Sequence, residues 1–284
     1  MFISPMLLQS IDEPFDNSEW LAELKLDGIR LLYSNNEQQR LYTRHNNDIT
    51  ERFPELNFVL PKGTILDGEM IKADPEGKPD FEALMSRFSM QNRDKIKRLA
   101  KSNPVTYCVF DVIYYKGENI THWPLLDRKA LLEELISVES QTLAKVRYVR
   151  GHGKALFDAC CAQELEGVAL KKADSTYRIG QRPHGVWYKV INYSYTDAWI
   201  TGYRKSKFGW LLAFDDGRPA GIMKLGVTPI IRKKFYNAIK TIPKKETDDF
   251  VYLQGEWLKC RVKYRNLSKS GLLRLPSCVE LICR

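Results

Sequence analysis

The run that most constrains this chain is residues 20–33, WLAELKLDGIRLLY, where Glu23, Lys25, Asp27, Gly28 and Arg30 interrupt an otherwise apolar segment. Hydrophobicity of this density, ended by polar residues, predicts a β-strand. Side chains alternate on a strand, so Glu23, Lys25 and Asp27 fall on one face and Leu24 and Leu26 on the other. Burying charge without partners is costly, so the polar face must open onto solvent or onto a site. A lysine can be a covalent nucleophile, but at its ordinary pKa of about 10.4 only about one molecule in a thousand is neutral near neutral pH. Partial burial, nearby cations or a metal ion can lower that pKa. Gly28 lets the backbone turn tightly beside the lysine. An isolated K-x-D-G equally fits an exposed lysine in an ordinary hairpin, because short motifs recur by chance.

The rest of the sequence sets the frame. A chain of 284 residues with 44% hydrophobic and 28% charged content suits a globular protein of one large or two ordinary domains. The N-terminal MFISPMLLQSIDEPFD has no basic leader before its short apolar stretch and meets an acid early. Neither a signal peptide nor a membrane span is therefore expected, and a cytoplasmic location is. Cys108, Cys160, Cys161, Cys260, Cys278 and Cys283 form no CxxC pair and no zinc-ligand spacing. They are expected to be reduced, mainly buried thiols.

The net charge of +9 is unevenly spread: 18 Lys+Arg face 8 Asp+Glu from residue 193 onward, leaving 26 against 27 in residues 1–192. A basic piece beside a neutral one is the arrangement of a polyanion-binding module attached to another domain. In residues 1–192, strands are predicted at 20–33, 40–44, 64–72, 105–115, 167–172 and 186–191. Helices are predicted after Asp80 and Asp127 as caps, and over residues 154–165, which makes a mixed α+β domain. Residues 151–154, GHGK, lack the spacing of a phosphate loop and are taken as a loop and helix start. Beyond residue 193, strands at 196–203, 209–214, 219–225, 250–263 and 278–282, with a helix begun by Thr228 and Pro229, predict a small all-β barrel of the OB kind.

Further along, elements occur in a particular order. Lys25-Leu-Asp27-Gly28-Ile-Arg30 resembles the first motif of the covalent nucleotidyltransferases, the superfamily of ATP-dependent DNA ligases, RNA ligases and mRNA-capping enzymes. Thr43-Arg44 with Asn47-Asp48-Ile49-Thr50 resembles the next ligase element, Leu66-Asp67-Gly68-Glu69 motif III, and Val109-Phe110-Asp111-Val112 the aromatic-Asp element. Glu166-Gly167-Val168-Ala169-Leu170-Lys171 is close to the EGVxLK form of motif IV, and Trp187-Tyr188-Lys189-Val190 to motif V. This ordered set identifies the chain as a member of the ATP-dependent DNA ligases, in a minimal two-domain form.

The resemblance implies an α+β nucleotidyltransferase domain, the ATP-grasp-like ligase catalytic domain, at residues 1–192, and an all-β OB-fold DNA-binding domain at 193–284. It implies three in-line displacements at phosphorus: attack of Lys25 on ATP to give lysyl-AMP, transfer of AMP to a 5′-phosphate, and closure by the 3′-hydroxyl. Lys25, Arg30 and Lys189 are the implied catalytic residues. Glu23, Lys25, Arg30, Arg44, Glu69, Phe110, Lys171 and Lys189 are implied around the nucleotide, with Phe110 stacking on adenine, Glu69 on the ribose and Glu23 at the adenine amino group. Glu166 and Asp27 are implied near Mg²⁺ or Mn²⁺, and Arg44, Arg232, Lys233, Lys234, Lys263 and Arg265 on DNA. The implied partners are ATP and nicked duplex DNA, with a monomer acting in a bacterial, phage or viral setting.

Two departures stand out. Motif V usually carries a second lysine where this chain has Ile191, and an R-x-D-K motif VI is not evident before Arg284. Self-adenylation is the step these departures would touch. No separate N-terminal DNA-binding domain or zinc module is expected, and the short length argues against an NAD⁺-dependent ligase. RNA ligase or capping-type chemistry, or a degenerate ligase-like nucleic-acid binder, are the competing readings.

Overall fold

The computed structural model describes residues 1–255 and 257–282, and its chain divides into two compact units, Met1–Asn192 and Tyr193–Arg284. Cys283 and Arg284, invoked above as a thiol and as the chain end, lie outside the described residues, as does position 256 of the strand expected at 250–263.

The first unit begins with β1 (Gln9–Ser10), β2 (Trp20–Leu24), β3 (Ile29–Asn35), β4 (Gln39–Thr43) and β5 (Thr64–Ile71). It continues with α1 (Phe81–Phe88), α2 (Arg93–Ser102), β6 (Thr106–Tyr115), β7 (Glu118–Asn119), α3 (Leu125–Leu135), β8 (Leu143–Lys145) and β9 (Tyr148–Arg150). It ends with α4 (Gly153–Ala162), β10 (Gly167–Lys172) and β11 (Trp187–Ile191). These strands make two sheets, one in the order β1-β11-β10-β2-β9, the other β4-β3-β5-β6-β7 with β8 added beside β6. Leu21 and Trp187 of the first sheet join Leu32, Ile65 and Ile113 of the second in one buried cluster, so the sheets share a core. A second cluster sets Ala22, Val168, Leu170 and Val190 against α4, and a third packs Leu84 of α1 and Leu131 and Leu132 of α3 on the second sheet.

The single strand expected at 20–33 is therefore two. β2 and β3 belong to different sheets, and Lys25–Gly28 is the crossing between them. Apolarity could not reveal the break, because both halves are equally buried, one in each sheet. Gly28 also has a different reason from the one expected: a Cβ there would overlap the Met70 carbonyl oxygen of β5 and crowd the Glu69 side chain. Close approach of two backbones, not a left-handed turn, demands glycine.

Helix ends follow their caps. Asp80 accepts from Ala83 N at 2.9 Å, as expected. Asp127 is not a cap: Pro124 takes that position and Asp127 sits in the first turn, where its charge favours the helix dipole. The GHGK stretch is a loop and a helix start, with His152 before Gly153. α2, capped by Asn92 through Lys95 N at 2.9 Å, was not expected from the sequence.

The second unit holds β12 (Ser194–Arg204), β13 (Trp210–Ala213), β14 (Pro219–Met223), α5 (Pro229–Ala238), β15 (Lys244–Glu246), β16 (Phe250–Leu253), β17 (Leu258–Tyr264) and β18 (Ser277–Ile282). They form one antiparallel seven-stranded sheet, not five strands; the expected strand at 250–263 is split, and β15 is additional. β12 is its hub, pairing with β13, β16 and β17. Thr228 caps α5 through Ile231 N at 3.2 Å with Pro229 in the first turn, as expected, and Phe235 buries against Trp210 at 4.2 Å between ring centroids.

Candidate active site

Strand alternation decides which side chains meet. On β2, Leu21 enters the core between the sheets and Ala22 the cluster under α4, so Glu23 turns inward with Leu21. On β10, Val168 and Leu170 face α4, which turns Ala169 and Lys171 inward. Glu23, Ala169 and Lys189 lie opposite one another across β2, β10 and β11, with only the small Ala169 between the two charged residues.

Lys25 follows β2 directly and continues its pairing, donating its backbone N–H to Gly167 O at 2.9 Å; Gly167 in turn pairs with Ile191. Ile191, where the family places a lysine, is thus the next side chain across Gly167 from Lys25. Gly167 has φ of 134° and its missing Cβ would overlap Val190 O, so glycine there holds β11 close. The Lys25 ammonium reaches Glu166 Oε2 at 3.1 Å and the Leu26 carbonyl at 3.3 Å. Lys25 is 20% exposed and Glu166 3%, so the lysine sits at the mouth of the site with its partner behind it.

Around this mouth is a narrow cleft whose lining includes Glu23, Lys25, Arg30, Glu69, Phe110 and Lys171. Its charges are held in place. The Arg30 guanidinium forks onto Asp67 with both bonds at 2.5 Å, and Asp67 also accepts from the Tyr177 hydroxyl at 2.6 Å. Arg30 lies over the Phe110 ring at 4.5 Å, and the Lys171 ammonium lies 4.2 Å from the same ring and 4.4 Å from that of Trp187. Lys171 donates to Glu23 Oε2 at 2.6 Å, while Lys129 of α3 pairs with Oε1. Burial pulls the Lys171 ammonium down to about 8, working against the adjacent Glu23 carboxylate and with the neighbouring Lys129 charge. Glu69 is pushed up to about 7, first by burial and further by the Glu166 and Asp67 carboxylates, despite the opposing pull of Lys25 and Arg30.

Six of the residues marked from sequence therefore meet in one cleft, and Glu166 joins them through Lys25. Asp27 and Lys189 are beside it by chain and by register without lining it. The expected common face of Glu23, Lys25 and Asp27 does not extend past Leu24, because the strand ends there and the chain crosses to the other sheet. Arg44 follows β4, exposed, with its guanidinium on His45 at 2.9 Å. Among the described residues no group of three or more His, Cys, Asp or Glu is arranged to hold a metal ion.

Lys129 and Arg128 were missed. Both lie on the stripe of α3 defined by Leu125 and Leu132, where the sequence shows charges at positions that should be apolar. Arg128 is fully buried and forks onto Asp111, the aspartate that follows Phe110, at 2.7 and 2.9 Å. That pair fixes β6, and with it Phe110, against α3.

In the second unit Arg232, Lys233 and Lys234 are exposed on α5, with Arg232 also covering the Phe208 ring at 4.9 Å. β17 alternates buried Cys260 and Val262 with Lys259, Arg261 and Lys263. Lys259 pairs with Asp215 at 3.2 Å, Arg261 with Asp197 at 3.0 Å, and Lys263 lies over the Tyr193 ring at 4.8 Å. Arg265 is half-buried just beyond the strand. Cys108, Cys160, Cys260 and Cys278 are buried free thiols and Cys161 is a partly buried one.

The chain matches the family model of the ATP dependent DNA ligase domain over residues 5–190. It is 43% identical over 279 residues to the SPbeta prophage-derived DNA ligase-like protein LigB of Bacillus subtilis, covering 98% of each chain. It is 29% identical to the multifunctional non-homologous end joining protein LigD of Pseudomonas aeruginosa over 96% of this chain but only 34% of LigD. The backbone resembles that of a Lig E DNA ligase, with a TM-score of 0.72, 19% identity and 99% and 100% of the two chains covered. It also resembles the ligase domain of Mycobacterium tuberculosis LigD, at a TM-score of 0.56, 24% identity and 99% and 95% coverage.

Proposed function

The chain belongs to the ATP-dependent DNA ligase family, and from that premise we propose how its own residues join DNA. Lys25 is the nucleophile. Its Nζ, once deprotonated, attacks the α-phosphorus of ATP, forming the P–N bond of lysyl-AMP as pyrophosphate leaves. The 5′-phosphate at a nick then displaces Lys25 to take the AMP, and the 3′-hydroxyl displaces AMP to close the phosphodiester.

One observation carries this reading: Lys25 is the solvent-reaching end of a cleft in which Arg30, Lys171 and Glu23 are already paired. Phe110 offers an aromatic face to adenine, Glu23 an acceptor at its amino group and Glu69 a group at the ribose. Clamping of Glu23 by two lysines and of Arg30 by Asp67 lowers the reorganisation needed when the nucleotide enters. Lys171 and Lys189 add positive charge where phosphate charge develops. Glu166 and Asp27 are hard oxygen donors that suit Mg²⁺ or Mn²⁺, an ion that would share phosphate oxygens and waters and neutralise the leaving charge. The second unit is a DNA-binding barrel of the OB kind, supported by its single antiparallel sheet with β12 as hub and its excess of exposed bases.

The test is incubation with α-labelled ATP or GTP and Mg²⁺, resolved under denaturing conditions, followed by sealing of a nicked duplex. Acid-labile label on Lys25 from ATP and closure of nicked DNA are expected. Label from GTP alone would indicate capping-type chemistry, and no label with any metal would sink the assignment.

A further inference from the structure

We propose that α2, together with the groove it forms against residues 48–54 and Arg40 of β4, is a second phosphate-binding surface for duplex DNA, located in the unit whose net charge conceals it. The partner named rests on the ligase reading, while the surface itself is argued from charge and geometry.

α2 carries Arg93, Lys95, Lys97, Arg98 and Lys101 against the single Asp94. Elsewhere in this unit the helices are balanced: α1 has Glu82 and Arg87, α4 has Lys154 and Asp158, and α3 sets Arg128 and Lys129 against Asp127, Glu133 and Glu134. Residues 1–192 as a whole hold 26 bases and 27 acids, so α2 is a local excess on a neutral background.

Its orientation is fixed by Ile96, which is buried, and by Leu99 and Ala100, which are half-buried. That anchoring leaves Lys95, Lys97, Arg98 and Lys101 exposed. Arg93 pairs with Glu51 at 3.0 Å, whereas no acidic partner is found for the other four among the described residues. Lys95 and Arg98, Arg98 and Lys101, and Lys97 and Lys101 are like charges three or four apart, each pair destabilising the helix. Asp94, three and four positions before Lys97 and Arg98, offsets only part of this repulsion, and the remaining excess is complementary to an external polyanion. No large apolar side chain accompanies the bases outward on α2, which argues against insertion into a lipid surface.

The groove beside α2 extends the surface. Arg40, Arg52, Arg93 and Lys97 line it, tempered by Asp48 and Glu51. Arg52 is fixed by donating to Phe88 O at 2.9 Å. Arg40 lies on β4, the edge strand of its sheet, which leads directly to Arg44. From Lys95 to Lys101 the helix rises about 9 Å. Each strand of duplex DNA presents about one charge per 3.4 Å of axis, so this length faces about three phosphates of one strand. Such contacts are sequence-independent and position the duplex rather than read it.

The experiment compares the full-length parent with a triple substitution, Lys97→Gln, Arg98→Gln and Lys101→Gln. A control triple of equal charge change elsewhere in the unit, Lys62→Gln, Lys116→Gln and Lys154→Gln, accompanies it. Binding to nicked duplex is measured across a salt series, and self-adenylation without DNA is measured in parallel. The α2 triple is expected to lose affinity and to flatten the log K against log salt slope by about two to three, at about 0.9 per lost contact. The control triple should keep the parent slope, and self-adenylation should be unchanged in both. A Lys97→Arg, Lys101→Arg variant keeps the charge and is expected to retain the slope. Parent-like binding by the α2 triple, or equal loss in both triples, would overturn the proposal. Failure of the parent itself to adenylate would reject the ligase reading instead, while the binding comparison still decides the fate of the surface.

Discussion

The charged cleft of the first unit and the basic surface of the second use the same residue types in opposite ways. In the cleft the charges come in ion pairs, Lys25 with Glu166, Arg30 with Asp67, Lys171 and Lys129 with Glu23, while Glu69, with no ion pair among the described residues, is pushed toward its neutral form. On α5, Arg232, Lys233 and Lys234 face solvent. Buried charge must be paired because desolvation is costly, and pairing makes the members interdependent. Exposed charge is screened and acts nearly additively through counterion release. The cleft should therefore respond to single substitutions in an all-or-none way, and the surface in proportion to the charge removed.

The largest expected effect is at Lys25. Lys25→Ala removes the nucleophile and should abolish formation of lysyl-AMP; Lys25→Arg should fail as well, since guanidinium does not give up its proton. Adenylate on Lys25→Arg, detected with α-labelled ATP, would break the assignment. Next comes the anchor behind the cleft. Arg128→Met strands the fully buried Asp111 carboxylate, and about 3–5 kcal/mol of stability should be lost in urea denaturation. A loss below about 1 kcal/mol would mean that burial and pairing are not what separate the two regions.

On the other side of the comparison, substituting Arg232, Lys233 and Lys234 together by Gln should leave stability within about 0.5 kcal/mol. The same substitution should flatten the salt slope of nicked-duplex binding by up to about three. An unchanged slope would remove α5 from the DNA-binding surface. The effect confined to a pH window is the titration of Glu69. Its folded-state value is raised from 4.5 to about 7, so its contribution to stability is fully present below about 4.5 and is lost as pH rises through about 7. Denaturation of the parent and Glu69→Gln across that window should differ in pH slope, with the parent falling more steeply. Parallel curves would place Glu69 in a wetter environment than its burial implies.

The membrane and thiol expectations concern less of the chemistry. No helix among the described residues is long and apolar enough to cross a membrane. The thiol of Cys108 is pushed up to about 12, first by burial and then by the Glu69 and Glu139 carboxylates, which suits a packing role rather than reactivity.

Much of the candidate site was legible because motif residues are local: Glu69, Phe110 and Lys171 stand in short patterns on β5, β6 and β10, and Lys25 and Glu166 in patterns that lie one residue outside β2 and β10. Helix starts at Asp80 and Thr228 were legible for the same reason, since a cap is decided within four residues. What could not be read depends on which element lies opposite. An apolar run looks the same whether it fills one strand or two, so the crossing at Lys25–Gly28 was invisible until the sheets were seen to differ. Gly28 and Gly167 are required by backbones that approach from β5 and β11. Lys129 serves Glu23 from a helix more than a hundred positions away in the chain.

The sequence by itself determined the chemistry available, the two-part distribution of charge, and most strand and helix segments, because composition, alternation and caps act over a few residues. Only the tertiary structure decided that Lys25 sits on the seam between two sheets, that Glu23 is clamped from both sides, and that Ile191 lies across Gly167 from Lys25. Those outcomes rest on register and desolvation, which arise only when distant segments pack and must satisfy each other's charges.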